Sequence, residues 1–149
     1  MLDALTRLFD SGSGSERSKD RERDLRVATA ALFFEVVRAD GTVADQERRA
    51  LRAAIETTFD IPAPEVDELM RLAEEKSREA ASLYEFTHLV DQRLGPEDKI
   101  RIVELLWSLA FADDGKDPLE EHVVRTVAGL LHVSHAHFID AKIRARSRR

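Results

Sequence analysis

Two stretches of this chain end alike. Val36-Val37-Arg38-Ala39-Asp40 closes one largely apolar run and Leu109-Ala110-Phe111-Ala112-Asp113 closes another, and a glutamate, Glu47 or Glu120, stands seven residues beyond each aspartate. Such a repeat constrains the fold more than any single motif, because matching positions share a structural job and one unit alone cannot bury its apolar side. Downstream, Leu51, Ile55, Phe59 and Ile61 answer Val123, Val127, Leu131 and Val133, provided the register slips by one residue. The expected arrangement is two helix–acidic loop–helix units around one core, with residues 64–95 connecting them.

Periodicity makes each unit helical. Leu25, Ala28, Leu32, Val36 and Ala39 form a stripe at helical spacing, and Val27, Ala31, Phe33, Phe34 and Val37 make the segment apolar on nearly every side. That pattern belongs to a helix at the centre of a bundle. Ile102, Val103, Leu105, Leu106, Trp107, Leu109, Ala110 and Phe111 make a second run of this kind. Asp40-Gly41 ends the first, since glycine adopts the left-handed conformation that closes a helix. A helix over about 44–59 follows, with Leu51, Ala54, Ile55 and Phe59 at helical spacing, until Pro62 and Pro64 break the chain. Pro64 suits the first turn of the next helix, which carries Val66, Leu69, Met70 and Ala73. Ser82-Leu83-Tyr84-Glu85 has the form of a capping box and predicts a helix to Leu94; Gly95-Pro96 stops it and starts another. Asp117-Pro118-Leu119-Glu120 is a second capping box, and Ser134 caps a last helix containing Phe138 and Ile143.

At the front, Leu2, Leu5, Leu8 and Phe9 share one side of a short helix, tethered by Ser11-Gly12-Ser13-Gly14-Ser15. Its apolar side calls for the body of the protein, another subunit or a membrane surface. No stretch alternates as a strand does. The reading is all-α: a single-domain bundle of seven to eight helices with an internal pseudo-repeat. Residues 1–15 form an amphipathic helix and Gly/Ser linker, 16–146 the helical domain, and 147–149 a basic tail.

Composition narrows the function. A chain of 149 residues suits one domain. It has no cysteine, which excludes disulfides and thiolate metal sites. The opening residues include Asp3 and Asp10 and lack a signal-peptide pattern. The longest mainly apolar stretch, residues 27–37, falls far short of the ~20 residues that cross a bilayer. A cytoplasmic protein is expected, with peripheral contact at the inner membrane as the variant. A net charge of −6 argues against nucleic acid; the basic exception, Lys142, Arg144, Arg146, Arg148 and Arg149, reads as a solubilising end that also suits a helix C-terminus. An activated nucleophile and a phosphate-cradling glycine loop are both lacking, so neither an enzyme nor an organic cofactor is expected.

The acidic turns are the chemistry that remains. From Asp113 to Glu121 five carboxylates, Asp113, Asp114, Asp117, Glu120 and Glu121, face only Lys116. Such crowding is relieved by a hard cation, for which calcium takes six to eight oxygens; Asp40, Asp45 and Glu47 offer more from the first turn. The same residues also read as helix punctuation, with Asp117 as N-cap and Glu120 as its partner, and neither loop has the EF-hand pattern. Glu35 and Glu104 lie inside apolar runs and are expected to face a groove or meet an arginine. His122, His132, His135 and His137 match no zinc spacing and are expected to face solvent.

Arg38-Ala39-Asp40-Gly41-Thr42-Val43-Ala44-Asp45-Gln46-Glu47 and Leu106-Trp107-Ser108-Leu109-Ala110-Phe111-Ala112-Asp113-Asp114-Gly115 together resemble the tellurite-resistance TerB family, over residues 25–146. The resemblance implies an all-helical fold with the two acidic loops near one another and a divalent cation at the acidic clusters, calcium before magnesium or zinc. In this sequence those clusters are Asp40, Asp45, Glu47, Asp113, Asp114, Asp117 and Glu120. It also implies protein partners in a stress response to tellurite or metal, some of them membrane-associated. Asp114 intrudes between Asp113 and Gly115, so either Asp113 or Asp114 takes the place of Asp40. The expectation is a non-catalytic, cation-responsive interaction module. Two alternatives stand beside it: a metal-independent scaffold or homo-oligomer joined through Leu2, Leu5, Leu8 and Phe9, and a peripheral membrane protein using both termini.

Overall fold

The computed structural model describes residues 16–112 and 118–148. The expected opening helix and its linker, and residues 113–117, lie outside the described residues. Seven helices are described: α1 (Glu16–Val37), α2 (Asp45–Phe59), α3 (Ala63–Glu79), α4 (Tyr84–Arg93), α5 (Pro96–Ala110), α6 (Pro118–Leu130) and α7 (His135–Ser147). Among the described residues there is no strand, as the missing alternation requires.

The two apolar runs become the two inner helices. Residues 30–34 of α1 are all fully buried, and α1 packs against α2, α3, α4, α5 and α6. A helix with neighbours on every side needs apolar residues on every side, which is why its sequence shows no polar stripe over this stretch. The second run, α5, packs on α1, α2, α6 and α7 and buries Ile102, Val103, Leu106 and Trp107. No described helix is long and apolar enough to cross a membrane.

Punctuation follows the sequence at most ends. Pro64 lies in the first turn of α3, and Pro96 opens α5. The Ser134 hydroxyl accepts the His137 amide at 3.2 Å and caps α7. The Ser82 capping box does not form. The cap falls one residue later, at Leu83, whose carbonyl accepts the amides of Phe86 and Thr87, both at 3.0 Å, so Phe86 rather than Glu85 takes the third helical position.

The register slip is also corrected. α2 and α6 begin in step with their aspartates, and Glu47, Leu51, Ile55 and Thr58 occupy the same buried places as Glu120, Val124, Ala128 and Leu131. Only the last turn parts them. α2 runs on to Asp60, left-handed at φ 50°, while α6 closes one residue sooner on His132 at φ 62°. There Val133 donates to the Ala128 carbonyl (2.9 Å) and His132 to that of Gly129 (3.1 Å), a Schellman closure with histidine where glycine is usual. Two of the four pairs that suggested a slip throughout, Phe59 with Leu131 and Ile61 with Val133, lie at or just beyond this shortened turn.

Both carboxylates inside the apolar runs meet arginine. Arg38 lies 3.4 Å from Glu35 and uses Nε and Nη2 to donate to the hydroxyl and carbonyl of Ser77 on α3, each at 2.7 Å. Glu104, only 6% exposed, accepts from Arg144 (2.6 Å) and Arg148 (3.1 Å). Lys142 sits 5.0 Å over Trp107 and Arg146 5.6 Å over Phe111. Four of the five C-terminal cations are thus engaged on the helical body.

Candidate acidic-turn site

Each unit leaves its inner helix the same way. Ala39 donates to the Val36 carbonyl and Ala112 to that of Leu109, both at 3.2 Å, so the last turn tightens before each acidic loop. In the first loop Gly41 has φ 92° and donates to the Arg38 carbonyl at 2.9 Å. A Cβ there would touch nothing within 4 Å; the backbone angle, not space, calls for glycine. Asp40 Oδ1 accepts the amide (3.0 Å) and hydroxyl (3.3 Å) of Thr42, an Asx turn that directs the chain into α2.

Asp45 and Glu47 share the first turn of α2 with opposite fates. Asp45 is exposed, whereas Glu47 is 2% exposed and accepts the Ala44 amide at 3.1 Å. Alanine has no side-chain acceptor to complete a reciprocal capping box, so this hydrogen bond is the working half of one. Glu120, in the matching position of α6, is 0% exposed. Capping glutamates ordinarily stand in solvent, and full burial of a glutamate is rare. Two at equivalent places, each at the positive end of a helix dipole, are the least ordinary feature of the fold.

Asp40 thus stands in the loop after α1 and Asp45 and Glu47 in the first turn of α2, and Glu120 occupies the place equivalent to Glu47 in α6. Asp113, Asp114 and Asp117 lie outside the described residues, as does the capping role read for Asp117. Among the described residues no three His, Asp or Glu side chains form a metal cage. The donor chemistry nonetheless fits a hard cation, since every candidate ligand offers carboxylate oxygen and neither turn contains histidine or cysteine.

His122, His135 and His137 are exposed, as expected. His132 is exposed too, but its Nδ1 lies 3.2 Å from Asp91 Oδ1 on α4, and Lys99 of α5 lies 2.6 Å from the same oxygen. The Lys99 hydrogen bond, then that of His132, holds the Asp91 carboxyl below the usual aspartate range. Sequence reading missed this junction and the Arg38–Ser77 tie. No local spacing announces either, because the partners come from distant helices.

The fold and site define a duplicated acidic-turn helical domain, with a buried glutamate following each inner helix. The family model described as tellurite resistance protein TerB matches residues 26–143, and the chain belongs to the TerB family. Comparison with curated proteins and with solved structures gave no match in either case.

Proposed function

We propose that this chain is a non-catalytic module that takes up a divalent cation at its acidic turns, calcium before magnesium or zinc. It acts through protein partners in a stress response to tellurite or metal, in the cytoplasm or at the inner face of a membrane. The observation that carries the reading is the pair of buried glutamates, Glu47 and Glu120, at matching places behind the aspartate turns. Asp40 and Asp45 would hold the ion from the first turn and Asp113, Asp114 and Asp117 from the second, with Glu47 and Glu120 behind them. The ion supplies positive charge that relieves repulsion among these carboxylates.

Calorimetric titration of chelator-stripped protein with calcium, magnesium and zinc tests this. Saturable binding is expected in the wild type and its loss in Asp40→Asn/Asp113→Asn; ion at about a hundred times the dissociation constant should add about 2.7 kcal/mol of stability. The absence of both binding heat and thermal shift at millimolar ion would sink the proposal.

A further inference from the structure

A groove that runs between α1, α3 and α4 encloses about 570 Å³. Its floor is apolar: Val27 from α1, Leu72 from α3, Phe86 and Leu89 from α4. Leu89 is 37% exposed, one of few large apolar side chains so placed. The rim carries both signs, with Asp20, Arg23, Lys76 and Glu85 around it. A smaller groove of about 200 Å³ shares Val27 and Leu72 with it, adds Ile61 and Leu69, and has no wall from α4.

We propose that residues 2–9 of this chain occupy the larger groove, running antiparallel to the start of α1. Three observations select this occupant. Leu2, Leu5, Leu8 and Phe9 recur at the spacing that would place them on one side of a helix. The lengths agree: eight residues of helix extend about 12 Å, as does the stretch of α1 from Asp20 to Ala28 that borders the groove. The reach agrees as well, because the six residues from Asp10 to Ser15 span up to about 20 Å when extended, enough to reverse direction at Glu16 and return to Asp20. A short tether also holds the segment near the groove at an effective concentration that a second copy does not reach in dilute solution.

The chain has no cysteine, so engineered pairs report the contact without background. In the full chain at low micromolar concentration, Leu89→Cys is combined with Leu5→Cys or with Leu8→Cys. Ile143→Cys replaces Leu89→Cys as control, because Ile143 is 57% exposed on α7 and outside the groove. At least one Leu89 pair should close within a single chain about tenfold faster than its control under mild oxidation. Rates no faster than the controls overturn the proposal, and so do crosslinks that join two chains and disappear on dilution. Hydrogen exchange gives a reading free of the chosen pair: Leu5→Asp/Leu8→Asp should speed exchange at residues 20–28 and 85–89, and unchanged rates there overturn the proposal.

Discussion

The two units share one plan and are held by different chemistry. At the end of α1 the position before the turn is Arg38, which hydrogen-bonds Ser77 across to α3; the matching position on α5 is Phe111, stacked 5.5 Å from Trp107. Phe138 of α7 completes that cluster at 5.1 Å from Trp107. The helix end before the first acidic turn is thus fixed by a few directional polar contacts, and the matching end of α5 by aromatic surface with cations over its faces. Hydrogen bonds to a buried serine tolerate little movement, whereas stacked rings slide at small cost. Duplicated backbones can therefore share the geometry of a helix end while differing in how rigidly they hold it.

Four substitutions can break or sharpen this contrast. The largest effect is expected at Trp107, where Trp107→Ala should cost about 3–5 kcal/mol through loss of a fully packed ring. Arg38→Ala should cost about 1–3 kcal/mol by uncovering the buried Ser77. Urea unfolding of both variants checks the order, and an Arg38 effect exceeding that of Trp107 would reverse the contrast.

Next comes Gly41→Ala, which forces a side chain onto φ 92° and should cost about 1–2 kcal/mol. Thermal unfolding of this variant beside Gly129→Ala, at a helical position with ordinary φ, separates backbone strain from added volume; equal shifts would remove the case for strain.

The smallest effect belongs to the second unit, where His132 closes α6 and is tied through Asp91 to Lys99. The folded Asp91 carboxyl titrates below its unfolded value near 3.9. Its contribution is therefore complete above that value and lost as pH falls through the lower, folded one. Asp91→Asn should lower stability by no more than about 1 kcal/mol at neutral pH, because the group is partly exposed. The difference from wild type should vanish in strong acid. A deficit unchanged from pH 7 to pH 2 would mean that charge is not what Asp91 contributes.

Much of this was legible in the sequence because it is periodic or local. The all-apolar runs became α1 and α5, and Gly41, Pro64, Pro96 and Ser134 punctuate helices as their backbone chemistry dictates. Ser82 failed because a capping motif is defined relative to a helix start that Leu83 displaced. The register of α2 against α6 misled because Phe59 and Leu131 match in character at the ends, whereas burial follows the turns at the beginnings. At the candidate site, the repeat picked out Glu47 and Glu120, but their burial depends on α1 and the rest of the bundle closing over them. Periodicity reports faces, and contacts such as Arg38 with Ser77 or Asp91 with His132 are decided by which faces meet.

The Arg38–Ser77 contact gives the connecting segment a second identity. Asp40 stands two residues beyond Arg38, and Arg38 is gripped by the last turns of α3. The first acidic turn thus takes its bearing from a helix outside the repeat, so α3 is a ruler as well as a link. A lineage that altered the end of α3 would re-aim the carboxylate of Asp40 without changing a residue of its loop, so the first half could change its geometry while its motif stayed the same.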